Sequence, residues 1–257
     1  MLELKGISKT YNPGTVRELC LFEDFSLSVE EGQFLSIVGS NGSGKTSLLN
    51  ILCGSIPVDK GHLVLGGRDI TRQKEHLRAR HIARIYQNPA LGTCAKMSIL
   101  ENMALADHKK SRMDLRPGTD KARVDTYRQM LAELGLGLEN MMHAKAGSLS
   151  GGQRQALAMT MSRLTPVDFL ILDEHTAALD PKAAELIMSL TDRMVKESRM
   201  TAIMVTHNLR YALQYGDRLL MMHQGQVVLD KQGEEKQALT LDDLLDLFNA
   251  ISIECGN

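Results

Sequence analysis

Eight consecutive residues, Gly39-Ser40-Asn41-Gly42-Ser43-Gly44-Lys45-Thr46, set three glycines, a lysine and a hydroxyl at a spacing suited to a polyphosphate. They fit G-x-x-x-x-G-K-[ST], in which backbone N–H groups stripped of side-chain bulk wrap phosphate oxygens. In that pattern Lys45 reaches the β and γ phosphates and the Thr46 hydroxyl binds Mg²⁺. Gly39 through Ser47 are the candidate nucleotide loop. A second candidate is Phe169-Leu170-Ile171-Leu172-Asp173-Glu174, an apolar run ending in two carboxylates. At the carboxyl end of a parallel strand, Asp173 would hold Mg²⁺ and Glu174 would accept a proton from attacking water as general base. A third is Leu149-Ser150-Gly151-Gly152-Gln153, where bare N–H groups, a hydroxyl and a helix dipole make another anion site. Two phosphate-binding loops exceed what one end of one triphosphate needs. The economical explanation is that the second loop serves a nucleotide held by another copy of the chain.

The elements that must position these groups are legible in the hydrophobic pattern. Phe34-Leu35-Ser36-Ile37-Val38 predicts a buried strand entering the first loop, and Thr46-Ser47-Leu48-Leu49-Asn50-Ile51-Leu52 predicts the helix leaving it. Leu2 and Leu4, with the alternating Phe25, Leu27 and Val29, predict edge strands of an antiparallel piece. Glu30-Glu31-Gly32 predicts a turn, and His62-Leu63-Val64-Leu65-Gly66-Gly67 a short strand and turn. The charged stretch 68–84 reads as surface helix or loop. From there to Ser148 the pattern is mostly helical, with Tyr127 to Leu134 amphipathic and Pro117-Gly118 a loop. Phe169-Leu170-Ile171-Leu172 and Thr201-Ala202-Ile203-Met204-Val205 are further buried strands. Apolar strands alternating with helices indicate a parallel sheet covered on both faces. Gln224-Gly225 between apolar runs predicts a hairpin. Leu241, Leu244, Leu245, Phe248 and Ile251 recur at helical spacing behind a Thr240 cap, a stripe expected to pack on its own domain.

Composition bounds the class. The chain has 257 residues, 43% hydrophobic and 24% charged, with a net charge of −1. It is long enough for one large domain or two lobes, and no global basic field argues for nucleic acid. No apolar run approaches the roughly 20 residues of a membrane span. The first residues lack the pattern of a signal peptide, so a cytoplasmic protein soluble by itself is expected. Cys20, Cys53, Cys94 and Cys255 are scattered, which predicts neither a zinc site nor a disulfide framework. The paired methionines Met141-Met142 and Met221-Met222 read as core filling.

With motifs in this order along essentially its whole length, the chain resembles the ATP-binding cassette family, specifically the nucleotide-binding subunits of membrane transporters. The resemblance implies a P-loop α/β fold: a RecA-like parallel sheet core, an antiparallel β subdomain and an inserted α-helical subdomain. On that pattern 1–87 and 149–257 would form the catalytic core with its β piece, and 88–148 the helical subdomain of a single cassette. Gly39 to Thr46 match the Walker A loop, Asp173 and Glu174 the Walker B end, and Leu149 to Gln153 the signature motif. The resemblance further implies that Gln87 contacts metal or water, that Asp180 of Ala178-Leu179-Asp180 runs across a dimer, that His207 contacts the γ-phosphate, and that Tyr11 stacks on adenine. His175 departs from the pattern, since most relatives carry proline after the glutamate.

ATP and Mg²⁺ are thus the implied cofactors. The implied partners are a second copy in an ATP-sandwich dimer, an integral-membrane permease and a substrate-binding lipoprotein, with no nucleic acid. The implied place is the cytoplasmic face of the cell membrane. D-E-H-T-A-A-L-D-P is similar to a subgroup of importers, some linked to aromatic amino acids. Three rivals are weighed against this: a soluble cassette of DNA repair or translation, the subunit of an exporter, and a Walker-loop kinase. Repair cassettes carry a long inserted coiled coil, translation factors carry two cassettes, and a Walker-loop kinase would not need Leu149 to Gln153. An exporter shares the same ATP site.

Overall fold

Leu2, Leu4 and Ile7 are buried from one strand, and Phe22, Phe25, Leu27 and Val29 from the next, the pattern of an antiparallel pair with one packed face. The computed structural model describes residues 1–108, 118–165 and 167–254. Its strands are β1 (Leu2–Tyr11), β2 (Leu19–Val29), β3 (Phe34–Gly39), β4 (Lys60–Leu65), β5 (Arg68–Asp69), β6 (Ile82–Ile85), β7 (Phe169–Asp173), β8 (Ala202–Val205), β9 (Arg218–His223) and β10 (Gln226–Gln232). Its helices are α1 (Lys45–Cys53), α2 (Glu75–Arg78), α3 (Ile99–Asp107), α4 (Val124–Ala132), α5 (Gly151–Leu164), α6 (Pro181–Glu197), α7 (Leu209–Gln214), α8 (Gly233–Gln237) and α9 (Leu241–Glu254). The contacts divide the chain into a first unit of 1–82, 168–173 and 195 onward, and a second of 83–167 and 174–194.

In the first unit, β1 lies inside a four-stranded sheet ordered β2-β1-β4-β5. Only β2 of the expected pair is an edge. The other sheet runs β10-β9-β3-β8-β7-β6, with β6 starting at Ile82, where the first unit hands the chain on. β3 and β8 are buried throughout, and β7 as far as Leu172, as parallel strands covered on both faces must be. Leu48, Leu49, Ile51 and Leu52 of α1 pack into one core with Leu35, Ile37, Phe169, Ile171 and the apolar faces of β1 and β2. The other face carries Val38, Leu219 and Met221 under Ala212 of α7 and Leu244, Leu247 and Phe248 of α9. Of the terminal stripe, Leu244 and Phe248 therefore pack on their own unit, whereas Leu245 is 41% exposed and the Ile251 side chain lies outside the described residues. The cap of α9 is reciprocal, with Asp243 N donating to Thr240 Oγ1 at 3.2 Å and Thr240 N to Asp243 Oδ2 at 2.8 Å. Met221 and Met222 fill core, as expected.

The charged stretch 68–84 is more ordered than its composition suggested, since it forms β5, α2 and the start of β6. Arg78 is 3% exposed. Its guanidinium donates to the carbonyls of Ile51 and Leu52 at the end of α1, at 2.6 and 3.0 Å, and to Thr71 and Gln73. A buried cation is tolerated because its donors are satisfied and it sits at the negative end of a helix dipole.

In the second unit, α3 opens with a Ser98–Glu101 capping box. Tyr127, Leu131 and Leu134 are buried, the apolar face expected there. Pro117 lies outside the described residues, and Gly118 is in a bend. Met142 is buried and Met141 is 37% exposed. Asp107 at the end of α3 accepts from Arg123 Nε at 2.7 Å and from Tyr127 Oη at 2.7 Å. Burial alone would raise the Asp107 carboxyl, but these two bonds outweigh it and hold its pKa below the ordinary value. The unfolded chain therefore takes up this proton first as the pH falls. The stabilisation is complete above the unfolded pKa of 3.8 and is lost as the pH drops through the lower folded value. Asp107→Asn should cost about 1–2 kcal/mol at pH 7. In denaturant titrations from pH 7 to 3, the variant should lose less stability than the parent below about pH 4.

Candidate functional site

Three adjacent parallel strands of the first unit end at one sheet edge, where open α/β folds bind ligands. Val205 of β8 pairs with Ile37 of β3 on one side and Asp173 of β7 on the other. The Gly39 loop, His207 and Asp173 therefore emerge side by side. His207 is exposed between β8 and α7. The adjacent Thr206 hydroxyl accepts from Asn208 N at 3.0 Å, and Asn208 in turn caps α7.

The loop's glycines answer to its surroundings. A Cβ on Gly39 would lie 2.2 Å from the Met222 carbonyl oxygen. Gly44 has φ +102, with the Phe22 ring 3.0 Å from where a Cβ would stand. As the N-cap of α1, Gly44 brings no side chain to accept from the first-turn N–H groups, which leaves that terminus dressed for an anion. Lys45 is 5% exposed. Its ammonium donates to Gly39 O at 2.7 Å, Ser40 O at 2.8 Å and Ser43 Oγ at 3.2 Å, so it is held inside the loop. Asn41, Gly42 and Thr46 are exposed at the mouth. Tyr11 Oη donates to Ser47 Oγ at 3.1 Å, which sets the aromatic ring beside the first turn of α1.

The second unit carries the other groups. Ser150 caps α5, accepting from Gln153 N at 3.2 Å, while Gln153 Oε1 accepts from Ser150 N at 3.2 Å. Gln153 is thus committed to shaping the turn. A Cβ on Gly151 would meet Leu179 Cδ2 at 3.2 Å, and one on Gly152 would meet Ala183 at 3.2 Å. These glycines therefore serve close packing as well as bare N–H groups. Asp180 Oδ1 accepts from Ala183 N at 3.0 Å and caps α6. Gln87 is exposed two residues beyond β6. Glu174 stands at φ +47, and its carbonyl accepts from Ala177 N at 2.9 Å. His175 beside it is 2% exposed, and burial pushes its pKa down to about 4, so it is neutral at physiological pH.

Residues 22–177 match the ABC transporter family. The chain belongs to that family. It is an ATP-hydrolysing subunit of the kind that works as a dimer with membrane permease partners. This cassette is 42% identical over 248 residues to a tyrosine transport ATP-binding protein of Clostridioides difficile (strain R20291), covering 96% of this chain and 98% of that one. It is 32% identical over 238 residues to the spermidine/putrescine import ATP-binding protein PotA of Pasteurella multocida (strain Pm70), covering 91% of this chain but 59% of PotA. Among solved structures it resembles the ATP-binding cassette MJ0796, a dimer in a post-hydrolysis state bound to ADP and Pi. The TM-score is 0.76 at 27% identity, over 90% of this chain and 98% of that one.

Three supports of the cassette's site had no signal in the motifs. The β9–β10 hairpin tip braces the loop: Gly225 N donates to Ser43 O at 3.0 Å, and His223 Nδ1 lies 3.4 Å from Ser40 Oγ. Arg78 anchors the far end of α1. Gln155, wholly buried in α5, donates to the Tyr86 carbonyl at 3.3 Å, next to Gln87. All three depend on contacts between segments far apart in sequence.

Proposed function

We propose that the chain energises an importer of a small solute, with aromatic amino acids the first substrate class to test. The end-to-end likeness to the tyrosine transport protein, 42% over 98% of its length, carries this reading. The residues suit the nucleotide. At Gly39 and Gly44 a Cβ would press on Met222 and Phe22, so glycine keeps the loop backbone close against those neighbours. Lys45 and the N–H groups from Ser40 to Ser47 bind that phosphate, and Tyr11 carries the base.

Thr46, Asp173 and Gln87 offer hard oxygen donors that fit Mg²⁺. Among the described residues there is no group of three His, Cys, Asp or Glu that could hold a metal. When bound, the ion neutralises charge on the β and γ phosphates. Glu174 takes the proton of the attacking water, and His207 contacts the γ-phosphate.

Two copies close head to tail, with Ser150, Gly151, Gly152 and Gln153 of one completing the site of the other and Asp180 at the dimer interface. Loss of the γ-phosphate contact releases closure. The segment 88–148, adjoining Gln87, passes that motion to the permease at the cytoplasmic face of the membrane. A substrate-binding lipoprotein delivers solute from outside. No described helix is long and apolar enough to cross a membrane.

Tagged purification from detergent-solubilised native membranes should bring down a polytopic permease and a binding lipoprotein. A permease without the lipoprotein would turn the reading toward export. Ribosomal or DNA-bound partners alone would sink it.

A further inference from the structure

Glu174 is one of the few non-glycine residues of the described chain with positive φ, at +47. A left-handed backbone at such a residue is strained and persists only where neighbours over-determine it. One neighbour, Asp173, is fixed in β7 by its pairing with Val205. The other, His175, has no strand to hold it. It is 98% buried by a different device: its Nε2 lies 3.1 Å from the Oγ1 of Thr191, a residue of α6 with no exposed surface.

The direction of that bond follows from Thr191. Its hydroxyl donates to the Ile187 carbonyl at 2.7 Å. With that proton spent, Thr191 Oγ1 accepts from His175, and the imidazole carries its hydrogen on Nε2. A short turn completes the restraint, with Ala177 N bonded to Glu174 O at 2.9 Å. Nothing in catalysis itself asks for an imidazole that is buried, neutral and turned away onto a helix.

We propose that His175 is a positioning residue for Glu174: its hydrogen bond to Thr191 holds the left-handed backbone of Glu174 and so aims the carboxylate. The proposal rests on the reading of Glu174 as general base. Without the bond, residues 174–177 relax toward an ordinary backbone and the carboxylate swings off the attacking water. Misplacement on the order of 1 Å costs up to about 10²-fold in rate.

The test is steady-state ATP hydrolysis and thermal melting of the full chain, for His175→Leu, His175→Gln, Thr191→Val and Glu174→Gln. Gln keeps a donor near the place of Nε2; Leu does not. His175→Leu should lower kcat about 10–10²-fold with the KM for ATP within about twofold. His175→Gln should recover most of that loss, and Thr191→Val should reproduce it should His175→Leu fold poorly. Equal losses for Gln and Leu, or a kcat unaffected by Thr191→Val, would overturn the proposal. Parental turnover in Glu174→Gln would instead remove the base assignment and the proposal with it, a failure the other three variants cannot mimic.

Discussion

Replacing Glu174 by glutamine is expected to leave ATP binding intact and to cut turnover by about 10²–10⁴-fold, the usual contribution of a general base. The substitution is close to isosteric, and Gln accepts and donates hydrogen bonds but takes no proton from water at neutral pH. The groups proposed to grip phosphate lie elsewhere, in the Gly39 to Ser47 loop, where Lys45 is held by Gly39, Ser40 and Ser43. Binding and chemistry should therefore separate cleanly. Equilibrium titration with a fluorescent ATP analogue measures the first, and phosphate release measures the second. Unchanged phosphate release would remove Glu174 from the base role.

Ser150→Arg should produce the complementary defect, with nucleotide bound but the dimer unable to close. Ser150 is exposed, and its hydroxyl is half of the cap that shapes the start of α5. Losing the cap costs roughly 1 kcal/mol, too little to unfold the unit. A long guanidinium on the glycine turn fills the space into which a partner's nucleotide must come. Turnover should fall by about 10²–10³-fold, as when a transition-state donor is removed. The decisive measurement is size-exclusion chromatography with ATP in the slow Glu174→Gln background. The parent should run as a dimer and the Ser150→Arg variant as a monomer. ATP-dependent dimers of the variant would refute the shared site.

Local signals were strong enough to read the strand–loop–helix of Phe34 to Cys53, the buried strands β7 and β8, the Gln224-Gly225 hairpin and the Thr240-capped helix. Each rests on residues within a turn or two of one another: a run of apolar side chains, a glycine where φ is positive, a hydroxyl where first-turn N–H groups need an acceptor. The interior place of β1 was not legible. Alternation gives a strand its packed face but not its neighbours, and β1 is interior only because β4, some 60 residues away, pairs with its other edge. The stretch 68–84 misled for a related reason, because charge suggests surface until a partner such as the end of α1 absorbs the Arg78 guanidinium.

The sequence by itself singled out the groups proposed for this cassette's chemistry: the Gly39 to Ser47 loop, Asp173 and Glu174, the Ser150 turn, Gln87 and His207. Those are fixed by residue type and short spacing, because backbone conformation and side-chain donors are local properties. Only the tertiary structure decided what stands behind them. Gly225 supports Ser43, Leu179 and Ala183 press on the signature glycines, and Thr191 holds His175 beside the strained Glu174. Such contacts join residues up to 182 positions apart, and packing of whole elements places them, which no short window of sequence specifies.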